Sequence, residues 1–302
     1  MMFKKRWVAT LLLGLAGLAW KATGQTTFNY DNPQVKTLLN QGDSRRKVDL
    51  VFIGDGYTAS QTKELEKDAR AALDSLFRYP FFKDYRSYFN AHLVVVPSIQ
   101  ETVTLRYAFG SVRDNTRGLV RLSENDRVRE VARRAPDCDL PIVLSTMLGR
   151  AHASDIVVLP GRDYSPLPHE LGHALGGLGD EYDSSSSLAD RRSTSGTRDL
   201  HYPNLTLGAF IDPTSQQSIR KTAKWGHFLD LPGAYPLVSA YQGGYYQAIG
   251  VWRPTFSCIM GSDGAPFCPV CHEEMVKAIF KICGETFNDA AYHRRHPLSQ
   301  WR

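Results

Sequence analysis

The sequence predicts an α/β domain, and three stretches carry that expectation. Val48-Asp49-Leu50-Val51-Phe52-Ile53 is a β-branched apolar run ending in Gly54-Asp55-Gly56, the pattern of a buried strand followed by a turn. Leu65, Ala69, Ala72, Leu73, Leu76 and Phe77 recur at three- and four-residue steps among Lys, Glu, Asp and Arg, which predicts an amphipathic helix with one face in a core. His92-Leu93-Val94-Val95-Val96 supplies a second apolar strand. Strand, helix and strand in that order form a βαβ unit with parallel strands.

The alternation continues along the chain. A helix from about Ser123, which serves as its cap, to Arg134 precedes the strand Leu140-Pro141-Ile142-Val143-Leu144, and Asp155 to Pro160 gives another short strand. Ser165 before Pro166 makes an N-cap and first-turn pair, so a further helix is expected through His173, with Gly176, Gly177 and Gly179 ending it. From Asp183 to about Gln217 the Ser-, Asp-, Arg- and Thr-rich sequence predicts long surface loops. No internal repeat is evident.

Residues 1–24 have the features of an export signal. Lys4, Lys5 and Arg6 precede an apolar run from Trp7 to Trp20, and Ala22 and Gly24 are small residues ahead of a cut before Gln25. That run is too short to span a bilayer comfortably, and no later run is longer, so the expected product is a soluble, secreted, periplasmic or cell-surface protein. Its charge is close to neutral: of 36 Lys and Arg, the four in residues 1–24 are lost, leaving 32 against 31 acidic residues. A nucleic-acid partner would show as a clustered basic surplus, and only residues 288–302 resemble one; a solvated tail is the simpler reading. Residues 25–46 form a short N-terminal segment, and 47–287 suffice for one large domain, or two lobes around a cleft. Five cysteines in an exported chain suggest at least one disulfide, with one thiol over.

The residues that carry chemistry lie on the helix before the glycines. In His169-Glu170-Leu171-Gly172-His173 the histidines are four apart, so they share a helical face and can present two imidazole nitrogens to one metal ion. Zinc suits imidazole, and a catalytic zinc has three protein ligands with one position left for water. Glu170, one step round, can reach that water as general base without ligating the ion. The third ligand is expected just past the glycine bend: Asp180 first, then Glu181, with His201 a more distant choice.

The whole stretch from His169 through Gly177-Leu178-Gly179-Asp180-Glu181-Tyr182 resembles the signature of the IgA-peptidase family of zinc metallopeptidases. Val51-Phe52-Ile53-Gly54-Asp55-Gly56-Tyr57-Thr58 resembles that family's opening strand and turn. Trp252-Arg253-Pro254, Cys258-Ile259-Met260 and Phe267-Cys268-Pro269-Val270-Cys271 resemble its closing segment. The resemblance implies a metzincin-like fold: a twisted, mostly parallel sheet with helices above a cleft, a smaller irregular C-terminal lobe below, and a tight turn placing Met260 under the zinc. It also implies peptide-bond hydrolysis, with His169, His173 and Asp180 as ligands, Glu170 as base, and protein substrates that include immunoglobulins. Two departures stand out. Gly177 and Asp180 fall eight and eleven residues after His169, where the commoner metzincin motif has seven and ten, and Met147-Leu148-Gly149-Arg150 stands where the family has a Gly-rich loop.

Other features have blander readings. Cys268-Pro269-Val270-Cys271-His272 matches a haem-attachment pattern, but too few residues follow to build a haem pocket, and no βαβ unit surrounds it for a redox role. A disulfide from Cys258 to Cys268 or Cys271, fixing the turn at Met260, is the expected use, with Cys138 and Cys283 as the remaining cysteines. Tyr57, Tyr182 and Arg253 are candidates for holding substrate or an oxyanion, and Tyr241, Tyr245, Tyr246 and Trp252 for lining a subsite; each serves equally as packing. Gly54-Asp55-Gly56 lacks phosphate-loop spacing. The rival to an enzyme is a catalytically silent, metal-containing binding protein of the same fold; a purely structural zinc would need a fourth ligand.

Overall fold

Every residue of Val48–Asp55 is buried, so this strand needs neighbours on both edges and cover on both faces. The computed structural model, which describes residues 27–101, 103–183, 201–207, 211–262 and 264–301, supplies them. The strands are β1 (Gln34–Leu39), β2 (Val48–Asp55), β3 (Phe89–Val95), β4 (Ile99–Gln100), β5 (Leu105–Arg106), β6 (Ser111–Arg113), β7 (Val120–Leu122), β8 (Leu140–Ser145), β9 (His152–Ala153), β10 (Val157–Pro160), β11 (Thr206–Leu207), β12 (Tyr241–Gly244) and β13 (Gln247–Arg253). The α-helices are α1 (Thr62–Arg78), α2 (Pro80–Asp84), α3 (Asn125–Ala132), α4 (Leu167–Ala174), α5 (Gln216–Thr222), α6 (Pro269–Ile282) and α7 (Asp289–Arg295).

The main sheet has the order β1-β3-β2-β8-β10-β9. Its four central strands are parallel, while β1 and β9 run antiparallel on the two edges, so the sheet is mixed. The βαβ unit of β2, α1 and β3 forms as its pattern predicts. Successive side chains of β2 point to opposite faces. Leu50 and Phe52 join the large core with Leu65, Ala69 and Leu76 of α1 and Leu167 and Leu171 of α4. Val51 and Ile53 join a smaller core with Val128 and Val131 of α3.

Beyond β10, α4 crosses to a second, smaller sheet, β11-β13-β12, accompanied by α5 and α6. The expected long surface loop is thus interrupted, because Thr206–Leu207 pairs with β13 and α5 begins at Gln216; residues 184–200 and 208–210 of that stretch lie outside the described residues. The described part of the C-terminal segment, residues 288–301, is not the solvated tail its charge suggests. α7 and the turn after it pack on the core: Tyr292 and Leu298 are buried, Trp301 Nε1 donates to Phe267 O at 2.9 Å, and the Tyr85 hydroxyl meets His296 Nε2 at 3.0 Å. Residues 34–39, expected to precede the domain, are instead its edge strand.

Two expected caps are not used. The first residue bounding α3 is Glu124, not Ser123, and Pro166 occupies the cap of α4 while the Ser165 hydroxyl donates to Asp163 Oδ1 at 2.7 Å. Gly54-Asp55-Gly56 is more than a turn. Asp55 ends β2 fully buried, and its carboxylate accepts the N–H groups of Phe109 and Ser111 and the Ser111 hydroxyl, tying the β6 loop to the sheet. The expected export signal lies outside the described residues, among which no helix is long and apolar enough to cross a membrane.

Candidate active site

α4 buries Leu167 and Leu171 and turns His169 and His173 toward a cleft, as four-residue spacing requires. Gly172, between them, lies over the turn at Met260: a Cβ there would stand 2.5 Å from Met260 Sδ. Gly177 adopts φ of 59° with open space around it, so conformation, not crowding, calls for glycine. Its N–H bonds His173 O and that of Leu178 bonds Gly172 O, so the helix stops and the chain returns toward its own last turn.

The return brings Asp180 to the histidines. His169 Nε2 and His173 Nε2 lie 3.0 Å apart, and Asp180 Oδ1 stands 3.3 Å from the first and 3.1 Å from the second. Each ring is oriented from behind by a carbonyl: His169 Nδ1 meets Ile259 O at 2.9 Å, and His173 Nδ1 meets Leu178 O at 2.7 Å. With each N–H spent on a carbonyl, both Nε2 atoms carry lone pairs. Asp180 Oδ1 is itself buried and unpartnered. With the rings neutral, three lone-pair donors face one another, an arrangement that a cation, either a metal ion or a proton, must bridge. Their separations are close to the edges of a tetrahedron with bonds of about 2.0–2.1 Å, the lengths zinc takes with nitrogen and carboxylate oxygen.

Electrostatics agree. Burial opposes a charge on His169, yet Asp180, the Ile259 carbonyl and Glu170 outweigh it and hold the imidazole up at about 9, so protons occupy this cluster when no metal does. Burial also works against the Asp180 anion, but the two imidazoles hold its carboxyl well below the usual range. Burial raises Glu170, which lines the same cleft one step round the helix.

The cleft has a volume of about 810 Å³, and Arg150, His152, Tyr182, Tyr202 and Tyr246 help to line it. Gly149 and Arg150 border it directly. The Tyr182 and Tyr246 hydroxyls meet at 2.8 Å above Asp180; Tyr246 sits there through a left-handed φ of 63° that a tyrosine rarely adopts. Nothing in the sequence pattern separates Tyr246 from its aromatic neighbours. Asn204 is fully buried and binds Gly179 N, Gly179 O and Glu181 Oε1, fixing the segment that carries Asp180. It gave no signal because its partners lie 23 and 25 residues away.

Other candidates fall elsewhere. Tyr57 is buried and donates to Asp68, Arg253 holds the carbonyls of Gln242 and Gly243, Tyr241 bonds Pro236 O, and Trp252 packs in the core. His201 is exposed and apart from the cluster. Glu181, the alternative ligand, points away from the histidines toward Cys258, Cys268 and Cys271. Those cysteines correct the disulfide expectation: all five are free thiols, and these three converge on a carboxylate instead of pairing. His272 is buried with its Nδ1 against the Tyr292 hydroxyl, which leaves no room for a haem.

A helix bearing His-Glu-x-x-His, an acid returned to it by a glycine bend, and an open cleft alongside define the donor set of a metallopeptidase-type site on an α/β scaffold. The chain belongs to the IgA peptidase M64 family, whose model matches residues 36–237 and 228–279. No curated protein matches it.

Proposed function

We propose that the chain is a zinc-dependent endopeptidase that acts outside the cytoplasm after loss of residues 1–24. Membership of a peptidase family supports hydrolysis of protein substrates, and the convergence of three ligand atoms from His169, His173 and Asp180 is the observation that carries the metal. When bound, zinc supplies Lewis acidity for a carbonyl and lowers the pKa of water. His169, His173 and Asp180 would hold the ion, while the Ile259 and Leu178 carbonyls keep the two rings oriented. Glu170 takes a proton from the attacking water and hands it to the departing amine nitrogen. Met260 is the apolar floor beneath the helix, as a metzincin-like fold requires.

A developing negative charge on the former carbonyl oxygen needs a donor, and the paired hydroxyls of Tyr182 and Tyr246 stand at the cleft to provide one. β9 ends the main sheet along the cleft, so an extended peptide is accommodated as an added strand. Arg150 and its neighbours set side-chain preference, and immunoglobulins are one substrate class among several. The test is incubation of the purified protein with a panel of proteins including immunoglobulins, with and without a chelator, alongside Glu170→Ala. Expected is chelator-sensitive cleavage that the substitution abolishes while zinc stays bound. Cleavage by the variant at the parent rate removes Glu170 as base, and bound zinc without cleavage of any protein favours the silent binding module.

A further inference from the structure

The sulfurs of Cys258, Cys268 and Cys271 and a carboxylate oxygen of Glu181 all lie within 4.8 Å of one another, and all four residues are no more than 2 % exposed. Such a cluster is not explained by packing. A carboxylate taken out of water needs compensation, yet Glu181 has one protein hydrogen-bond donor other than a thiol: Oε1 accepts from Asn204 Nδ2 at 2.9 Å and meets Cys271 Sγ at 3.1 Å, while Oε2 is buried with no partner. A disulfide would use two sulfurs and leave both the third thiol and this carboxylate without purpose.

Three cysteine sulfurs and one carboxylate, each a ligand type that zinc takes, make up the four protein donors that a closed site requires. Cys268-Pro269-Val270-Cys271 has the two-residue gap common to such sites, and it opens the 14-residue helix α6. There the free N–H groups of the first turn favour thiolate: Cys271 N donates to Cys268 Sγ at 3.4 Å, and Cys268 N donates to Cys258 Sγ at 3.3 Å.

We propose that Cys258, Cys268, Cys271 and Glu181 bind a second zinc ion, structural and sealed from solvent, which clamps the turn at Met260 and the segment carrying Asp180 to the start of α6. The linkage is direct. Cys258 O closes the turn by accepting from Gly261 and Ser262, Ile259 O orients His169, and Glu181 N donates to Met260 O at 2.7 Å. The ion thus acts on the cleft through position alone, and the inference stands whether or not the chain is a peptidase.

The experiment measures metal on the full-length protein purified without chelator. About two zinc ions per chain are expected in the parent and about one in a His169→Ala, His173→Ala variant, while Cys271→Ser loses the ion that the histidine variant keeps. Cobalt replacement gives a readout that does not depend on any variant folding, because only sulfur ligation produces an intense sulfur-to-cobalt charge-transfer band in the near ultraviolet. Its presence in the cobalt-loaded parent and in the histidine variant supports the site. A folded histidine variant free of metal, cobalt-loaded parent without that band, or a disulfide among these cysteines in unreduced peptide maps overturns it.

Discussion

Two clusters of donor atoms back onto one peptide bond, and they are built differently. Asp180 faces two imidazoles at the edge of a cleft of about 810 Å³, whereas Glu181, the next residue, faces three sulfurs in a compartment that solvent does not reach. The first has three protein donors and an approach for substrate; the second has four and none. Nitrogen and oxygen donors beside open volume suit chemistry, and a full thiolate-rich shell suits structure. Adjacent acids thus serve opposite sides of the chain, one turned to imidazoles and the other to sulfurs.

Substitutions break the comparison in order of effect. Glu170→Ala is expected to lower kcat/KM by about 10²–10⁴-fold in a peptide-cleavage assay without loss of thermal stability, because it removes a proton carrier whose burial itself opposes its charge. Cys271→Ser should do the reverse, costing about 3–5 kcal/mol of stability in denaturant unfolding by leaving buried charges without compensation. A Cys271→Ser protein as stable as the parent would erase the distinction between the clusters. Asn204→Leu, which strips partners from Gly179 and Glu181, should cost about 2–3 kcal/mol in the same measurement and slow cleavage as well, since its segment serves both sides. Gly172→Ala forces a methyl against Met260 Sδ, and a loss of about 1–3 kcal/mol is expected from thermal melts. Tyr246→Phe sharpens the comparison on the open side alone: about a tenfold fall in kcat with stability intact, read by steady-state kinetics, follows if its hydroxyl donates to the reacting oxygen.

What the sequence revealed and what it concealed divide along range. The apolar run of β2, the periodicity of α1 and the four-residue step from His169 to His173 are local patterns, and each appears where its spacing places it. Asp180 was legible because a glycine bend limits how far the chain can travel. The edges were not: the sheet reads as parallel because β1 is half-exposed with no apolar run and β9 is only two residues long. Ser123 and Ser165 look like caps, yet Glu124 bounds one helix and a local bond to Asp163, two residues back, claims the Ser165 hydroxyl. Cysteine spacing proposes partners for Cys258 within its own turn, while the fourth member of the cluster, Glu181, lies on a segment far away in sequence. The basic C-terminal helix shows charge in its sequence, but its contacts are made by Tyr292, His296 and Trp301 with residues that only the fold brings near.

The segment from Asp180 to Tyr182 is gripped from both flanks, by Met260 on one and by Tyr245 and Tyr246 on the other. It cannot slide. A single residue inserted or deleted between Gly177 and Asp180 would shift the frame by one side chain, sending the aspartate's place inward to the sulfurs and bringing a neighbour of the wrong length to the imidazoles. Loop length here is therefore as strict a requirement as residue identity, and grafts that preserve every donor while changing that count should lose both compartments together.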